Sequence, residues 1–241
     1  MIKTKAFLIY ALSSIYMLTL PSIAFSQQKE ACPARVGMIG NDKLSNDAAQ
    51  IMKEVYDALD CPVEIVKLPR KRGFVAFNTG EIDGELFRFP IGANNYNRPY
   101  VRSDIPLFEI SNSLWAAPGS EISSTHPIGY MIGIVWQQNY LRINDLPKSG
   151  HLDIGDLILH YNNGTIDRFL AEDSMIKQAI NEGAFKDGNE PIPLTSSMSG
   201  PLYHFLGREF TPFMYRLSDY LREHDPFSEL SSEKRIAAQG S

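Results

Sequence analysis

Apolar and polar residues between positions 33 and 90 follow two alternating rhythms. Short apolar runs flanked by turn residues are typical of buried strands, whereas apolar residues spaced three or four apart are typical of one-sided helices. The predicted elements, in order, are the strand RVGMI, the helix SNDAAQIMKEVYDAL capped by Ser45 or Asn46, the strand VEIVKL, the helix PRKRGFVAFNTG with Pro69 near its start and Gly80 as its stop, and the strand IDGEL. Strands that alternate with helices pair in parallel through right-handed crossovers, so this segment predicts a βαβαβ unit.

The same alternation restarts after residue 126. Between the two segments, RSDIPLFEISNSLWAAPG is a long extended run that predicts a strand crossing from one lobe to another. The later predicted elements are the strand PIGYMIGI, the short helix VWQQNYLRI, the helix DIGDLILHYNNG ending at Gly164, the strand IDRFLA, the helix SMIKQAINEG ending at Gly183, an extended segment near 191–203, and the closing helix TPFMYRLSDYLREH with Thr211 as cap and Pro212 at its first position. The pattern predicts an α/β protein with two related lobes.

A short internal repeat connects the two lobes. The segments FNTGEID (77–83) and YNNGTID (161–167) share the order aromatic, Asn, any residue, Gly, any residue, Ile, Asp. In both copies the glycine ends a helix and Ile-Asp begins the next strand. Five residues after each final aspartate the copies carry opposite charges, Arg88 in the first and Glu172 in the second. Because the repeat is short, chance similarity between two helix–glycine–strand junctions remains an alternative to duplication.

Residues 1–26 have the layout of a secretory signal peptide. Lys3 and Lys5 precede the apolar run AFLIYALSSIYMLTL, Pro21 breaks it, and small residues precede a cleavage point before Gln27. An uncleaved membrane anchor is the alternative, although the run is short for a membrane span. We therefore expect a periplasmic protein, secreted through a cleaved signal peptide.

Composition and charge exclude one class of partner. Without the leader the chain has 215 residues (241 − 26), with 21 basic residues (23 − 2) against 28 acidic ones, a formal net charge of −7. That length suffices for one large domain or two small lobes. Since no basic tract stands out, we expect no nucleic-acid partner, and we expect a monomer.

The chain contains two cysteines, Cys32 and Cys61, and each lies just before a predicted strand. Neighbouring strand starts bring Cα atoms within disulfide range, and an oxidising compartment favours the bridge. We therefore predict a disulfide. Two buried thiols are the alternative, and a metal site is less favoured because no histidine cluster accompanies the pair.

Three segments, LPRKRGFVAFNTGEIDGELFR, RPYVRSDIPL and IGYMIG, resemble in their order and spacing the extracellular solute-binding proteins of family 3. These are type 2 periplasmic binding proteins of amino-acid uptake systems, and the likeness is greatest to their stand-alone members. The resemblance covers essentially the whole chain after the leader. It implies two lobes, each a mixed sheet flanked by helices, joined by crossing hinge strands. Lobe 1 would comprise 33–110 plus 200–241 and lobe 2 would comprise 111–199, with the ligand held between them.

Two departures from the family pattern weaken the expectation of an amino-acid ligand. Family members usually carry Thr-x-x-Arg after the third strand, whose arginine grips the ligand carboxylate, whereas IGANNYNR has Arg98 without a threonine at the matching place. The family's Gly-Thr-Thr at the first helix of the second lobe is replaced by Gly133-Ile134-Val135. This change keeps the anion-binding backbone amides and removes the hydroxyl groups.

Candidate ligand-binding residues lie where predicted strands end, because ligands of open α/β sheets bind beyond the carboxyl ends of the strands. Arg88 and Glu172, one from each lobe, suit the carboxylate and the ammonium group of a zwitterion, with ordinary surface charges as the alternative. Arg72 lies in a positive cluster at a helix start, which is unfavourable with the helix dipole and indicates a bound anion unless the cluster is simply solvated. Four aromatic residues are candidates to wall a pocket or, alternatively, to pack in the core: Phe87, Phe89, Trp115 and Trp136.

No catalytic set emerges from the sequence. The five histidines contain no pair at i, i+4 and no metal-ligand spacing, and SSMSG near residue 200 lacks the flanking glycines of a nucleophile elbow. We expect no enzyme activity, no cofactor and no metal. The predicted function is the capture of a small polar solute, an amino acid or small carboxylate, for an ABC-type uptake system with a membrane permease. A sensing module that acts on a membrane receptor is the first alternative, and an enzyme on the same scaffold is the second.

Overall fold

The computed structural model describes residues 31–40, 42–68, 71–121 and 125–230, without the side chains of 196–198. The predicted signal peptide lies outside the described residues. The strands are β1 Arg35–Met38, β2 Glu64–Lys67, β3 Gly84–Arg88, β4 Tyr100–Arg102, β5 Phe108–Ala116, β6 Ile128–Met131, β7 Lys148–His151, β8 Arg168–Glu172 and β9 Ile192–Gly207. The helices are α1 Lys43–Ala58, α2 Arg72–Thr79, α3 Val135–Ile143, α4 Ile154–Asn162, α5 Asp173–Asn181 and α6 Thr211–His224, with a 3₁₀ turn at Pro90–Asn95.

The nine strands of the described residues form one mixed sheet in the order β2-β1-β3-β9-β5-β8-β6-β7, and β4 pairs separately with β9. Strand β1 pairs in parallel with β2 and β3, and β6 pairs in parallel with β7 and β8. Helices connect these parallel strands, as their crossovers require. We call β1–β4 with α1 and α2 the first half, and β6–β8 with α3–α5 the second half. The α/β fold class predicted from the sequence is confirmed.

Strands β5 and β9 cross between the two halves. They pair with each other in antiparallel register from Phe108↔Leu202 to Ala116↔Ile192. The far end of β9 then pairs with β3 and β4, whereas β5 pairs with β8 on its other side. The extended runs in the sequence correspond to these two strands.

The apolar residues form one large core and two smaller ones. The large core packs α1 and α6 against the sheet of the first half, through residues such as Met52, Tyr56 and Phe213, and extends to Leu170 in the second half. Further apolar residues of the second half form a separate cluster: Trp115, Leu157, Tyr161, Ile166, Phe169, Ala171, Ile176, Ala179 and Phe185. A small third cluster lies beneath α2.

Several local predictions were wrong in detail. Helix α1 is capped by Asp42, whose side chain accepts a hydrogen bond from the Ser45 amide at 2.9 Å, and not by Ser45 or Asn46. Thr211 is the first residue of α6 and its hydroxyl donates to the Arg208 carbonyl, so it is not the cap. Strand β7 was missed because its sequence, KSGH, has no apolar alternation.

The predicted disulfide between Cys32 and Cys61 is confirmed. Their Cα atoms are 5.3 Å apart, within the usual range for a bridge. The bond joins the segments that lead into β1 and β2, which are neighbours in the sheet.

Within the described ranges, every helix is too short or too polar to span a lipid bilayer.

Candidate ligand-binding cleft

A cavity of about 1140 Å³ lies between the two halves. Its walls come from the same part of each strand–helix unit, where a strand has just ended and the following helix begins. The contributing residues lie in 39–40 and 42–45 after β1, 71–74 at the start of α2, 87–92 at the end of β3, 131–138 from β6 to α3 and 152–154 from β7 to α4, and they include Glu172 and Met175 from β8 to α5. This is where open α/β sheets bind ligands.

The cavity wall is mainly apolar. Side chains from both halves contribute to it, among them Phe74, Phe87 and Phe89 from the first half and Met131 and Trp136 from the second. The crossing strands add Ile110 and Leu202. Such a wall favours a ligand with a substantial apolar portion, because burial of apolar surface contributes roughly 25 cal/mol per Å².

Arg88 is the last residue of β3 and lines the cavity, yet only 6% of it is exposed. Its Nε donates to Glu85 Oε2 at 2.8 Å and its Nη2 donates to Glu85 Oε1. The guanidinium carbon also lies 4.2 Å from the centre of the Phe74 ring. Among the described residues nothing bonds Nη1, so one end of the guanidinium remains available to a ligand.

Glu85 is the buried counter-charge, with 2% of the residue exposed. It also accepts a hydrogen bond from the Tyr96 hydroxyl. Burial, followed by the negative charge of Glu85, raises the pKa of Tyr96 well above its usual value, so the hydroxyl keeps its proton and remains a donor. A Cβ on Gly73 would collide with Glu85 Oε1 and lie 2.9 Å from Arg88 Nη2, so glycine lets α2 approach the ion pair closely.

Glu172 is the last residue of β8 and the N-cap of α5. Its carboxylate accepts from the Ser174 hydroxyl at 2.7 Å, the Met175 amide at 2.9 Å and the Ser174 amide at 3.2 Å. The residue is 9% exposed and lines the cavity. Its negative charge is therefore stabilised by the start of the helix while one face stays open to the cleft.

Five helices begin at the cavity, and they differ in how their first amides are satisfied. Asp42, Asp153 and Glu172 cap α1, α4 and α5 with carboxylates. Helices α2 and α3 have no side-chain cap and no acidic residue in the first turn. Uncapped helix starts carry partial positive charge and bind anions, so one such start from each half borders the cleft.

Lys71 and Arg72 add full positive charges at the start of α2. Both side chains are exposed and both line the cavity. Within the described part of the chain neither forms an ion pair. They are the cations of the cleft that are least committed to the protein itself.

No protein-family model and no curated protein matches the chain. Solved structures do match it. Holo ArgBP from T. maritima superposes with a TM-score of 0.60 at 14% identity, covering 79% of this chain and 89% of that one. The GluR0 ligand-binding core in complex with L-glutamate superposes with a TM-score of 0.62 at 13% identity, covering 87% of this chain and 96% of that one. The periplasmic VFT2 domain of BvgS from Bordetella pertussis superposes with a TM-score of 0.59 at 10% identity, covering 86% of this chain and 92% of that one.

The chain has the two-lobe fold of periplasmic binding proteins. At these identities the likeness establishes the fold and nothing finer, and the fold implied by the sequence resemblance is confirmed.

Five of the six residues predicted to bind ligand line the cleft of this two-lobe fold: Arg72, Phe87, Arg88, Trp136 and Glu172. The sixth, Trp115, lies elsewhere. It is buried in the separate core of the second half and pairs in register with Phe169 of β8. Its position on β5 places the indole in the core because alternate residues of a strand face opposite sides.

Sequence reasoning missed the partner of Arg88. Residues three apart in a regular strand face opposite sides of the sheet, so Glu85 gave no sign of pairing with Arg88. The pairing of β3 with β9 shifts register between these two residues, and both side chains thereby reach the same side. The only available signal was a charged residue inside an otherwise apolar strand, GELFR.

Proposed function

We propose that this protein is an exported binding protein that captures a small carboxylate-bearing solute in the cleft, without chemical conversion. The observation that carries the proposal is the cavity itself, whose wall is built from strand ends and helix starts of both halves. The hydroxyl in this wall, Ser45 Oγ, donates to Asp42 Oδ2 at 3.0 Å as part of the N-cap of α1.

The positive side of the cleft supports an anionic group on the ligand. The uncapped starts of α2 and α3 face it from opposite halves, and Lys71, Arg72 and the free end of Arg88 lie on the first-half side. Arg88 is largely occupied by Glu85, so we assign the main carboxylate contact to Arg72 and the helix amides, with Arg88 as a secondary donor.

The apolar wall narrows the solute class further. A carboxylate with an apolar or aromatic portion, an apolar amino acid among them, would use Phe74, Phe87, Phe89 and Trp136 as well as the cations. Glu172 would then supply the negative group for an ammonium, if the solute carries one. A solute with several polar groups fits this wall less well.

Lobe closure is the proposed mechanism of capture. The predicted lobes, 33–110 plus 200–241 and 111–199, divide the chain inside or beside the crossing strands β5 and β9. Rotation about these two strands would bring Arg72 and Glu172 together around the solute. Ligand and closure are then linked as a population shift, since only the closed form contacts the solute from both sides.

The closed form would be recognised by a membrane partner in the periplasm. An ABC-type permease is the partner that the sequence resemblance implies. A membrane receptor is the alternative partner, and the protein would capture the solute in the same way in either role. Deletion of the genes for a neighbouring permease separates these roles, because uptake of the solute is lost only in the first case.

Thermal unfolding of residues 27–241 tests the proposal. A solute that binds only the folded state at 100 times its Kd adds about 2.7 kcal/mol, which raises Tm by about 5–10 °C for a chain of this size. The panel should contain aliphatic and aromatic amino acids, their decarboxylated amines and simple carboxylates. We expect shifts from carboxylates with an apolar portion and none from the amines.

Arg72→Ala should abolish the rise in Tm, because Arg72 is the proposed main contact for the carboxylate. Since Arg72 is exposed, its loss should leave the fold intact. Arg222→Ala is the matched control, since Arg222 is an exposed arginine on α6, away from the cleft. A panel without any shift, or a shift equal in the two variants, would remove the proposed carboxylate site.

A further inference from the structure

His151, Asp156 and His160 form a cluster in the second half that the cleft does not use. His151 is the last residue of β7, and Asp156 and His160 lie one turn apart on α4. The two histidines are separated by the turn between strand and helix, which folds back and brings both rings against the same carboxylate.

The donor atoms of the three side chains lie close together. His151 Nδ1 is 3.6 Å from Asp156 Oδ2, and His160 Nε2 is 3.6 Å from Asp156 Oδ1. One donor atom from each residue fits within a mutual separation of 4.8 Å, and the imidazole centres are 4.8 Å apart. Four-coordinate zinc with bonds of about 2.0–2.1 Å separates its donors by about 3.3 Å, so a small inward movement completes such a site.

The environment of the His151 ring indicates a bound ligand. Only 2% of the residue is exposed, and neither ring nitrogen has a hydrogen-bond partner among the described residues. Buried polar atoms are almost always satisfied, so a buried imidazole with two unsatisfied nitrogens requires an explanation. An ion coordinated by Nδ1 would satisfy the nitrogen that faces Asp156.

We propose that this cluster binds one divalent transition-metal ion of the zinc class, through His151 Nδ1, His160 Nε2 and one oxygen of Asp156. Two imidazoles and a carboxylate match the borderline N and O donors that such ions prefer over magnesium or calcium. His160 and Asp156 are partly exposed, so water completes the coordination. The Leu152 amide donates to Asp156 Oδ2 at 2.9 Å and orients the carboxylate.

The site is adjacent to the cleft along the chain. The turn that it would fasten, Leu152–Ile154, lines the cavity and contains Asp153, the cap of α4. The ion would therefore hold the end of β7 against α4 and fix one edge of the cleft. Its binding does not depend on the nature of the solute.

The test uses residues 27–241 with the disulfide oxidised, the affinity tag removed and trace metal stripped by a chelating resin. Zn²⁺ is titrated by calorimetry, and Co²⁺ is titrated by visible absorption, which reports four-coordinate geometry. We expect one equivalent of metal per chain. His160→Ala and Asp156→Asn should each lose this binding, and both changes affect partly exposed side chains.

His224→Ala is the matched control, because His224 is an exposed histidine in the last turn of α6, as His160 is in the last turn of α4. Its binding isotherm should equal that of the unmodified chain. The proposal is overturned if the unmodified chain takes up no Zn²⁺, or if His160→Ala, shown to be folded by circular dichroism, retains the full isotherm. Should Asp156→Asn unfold, His160→Ala decides alone.

Discussion

The helix–glycine–strand junctions of the two halves, 77–83 and 161–167, share several contacts, although the final aspartates differ: Asp83 accepts from the Ala34 and Arg35 amides, and Asp167 pairs with His126 and Arg168. Each junction begins with a buried aromatic residue and passes through a glycine with positive φ, 76° at Gly80 and 73° at Gly164. The asparagine after each aromatic residue fastens a neighbouring loop. Asn78 bonds the backbone of Asn95 and Asn97, and Asn162 bonds the backbone of Ala184 and Lys186.

The isoleucine of each junction fills the same place beneath a neighbouring strand. A Cβ on Gly37 of β1 would lie 2.7 Å from Ile82 Cδ1, and a Cβ on Gly129 of β6 would lie 2.5 Å from Ile166 Cδ1. The glycine in each adjacent parallel strand thus makes room for the isoleucine. Equivalent contacts at this level of detail support duplication over chance.

The two halves differ where each strand approaches the cleft. Two residues after the final aspartate the first half has the buried Glu85 and the second half has the buried Phe169. At the strand end the first half has Arg88, paired with Glu85, and the second has Glu172, which caps α5. The repeated residues hold the scaffold, and the residues that differ determine the chemistry of the cleft.

Arg88→Ala should have the largest effect on stability. It would leave the Glu85 carboxylate buried without its counter-ion, which costs about 3–5 kcal/mol. Glu172→Ala at the equivalent position loses only an N-cap, about 0.5–2 kcal/mol. Urea unfolding at pH 7 measures both values. The contrast between the strand ends is disproved if the two variants are equally stable.

Adding Glu85→Gln to Arg88→Ala should recover part of the lost stability, since the second change removes the uncompensated charge. Because Arg88→Ala perturbs the fold, Arg72→Ala remains the cleaner probe of ligand binding.

Stability should fall as the pH is lowered from about 6.5 to about 4, and His204 of β9 is the main cause. Its ring bonds the Tyr56 hydroxyl at 2.8 Å and the Leu86 carbonyl at 3.0 Å on the first-half side of the sheet. Burial lowers its pKa to about 4, below the value of about 6.5 for an unfolded histidine. The unfolded chain therefore takes up the proton first, and the folded state loses up to about 3 kcal/mol across this window.

Urea unfolding at several pH values between 7 and 4.5 measures how the free energy of unfolding changes with pH. His204→Gln should flatten this dependence, and an unchanged slope would exclude this histidine as the source. Burial also lowers the pKa of His151 in the second half, so a residual slope of the same sign is expected in the variant.

Asn78→Ala and Asn162→Ala should have the smallest effects, and similar ones. Each removes two hydrogen bonds to loop backbone, and most of these bonds are exposed, so the cost should lie near the lower end of the usual range per bond, about 1 kcal/mol per variant. Asn78→Ala should be the costlier because its bond to the Asn95 carbonyl is partly buried. Asn181→Ala, on the exposed end of α5, is the control and should be nearly neutral. Equivalence of the junctions is contradicted if only one of the two asparagines matters.

Much of the fold could be predicted from local rules. The helix VWQQNYLRI was placed correctly because its apolar spacing is clear, and Gly80 ends α2 because glycine adopts the left-handed conformation without strain. The position of the cleft followed from the rule that ligands bind at the carboxyl ends of strands.

The remaining features depend on contacts that a linear pattern does not contain. Glu85 meets Arg88 only through an irregular register, and Trp115 of the crossing strand β5 packs in the core of the second half and not at the cavity. Histidine spacing alone does not reveal the i, i+4 pair Asp156–His160, and His151 joins this pair through a turn that tertiary packing defines.

The length of β9 also constrains the order in which the protein can fold. Residues 203–206 of β9 pair with β3, which is synthesised more than a hundred residues earlier. Until they arrive, the inner edge of β3 has no partner strand and its backbone groups are unpaired. The second half, continuous in sequence, can assemble β6, β7 and β8 before that point. The half made first is thus completed last, and premature release of the chain before β9 leaves an open sheet edge prone to aggregation.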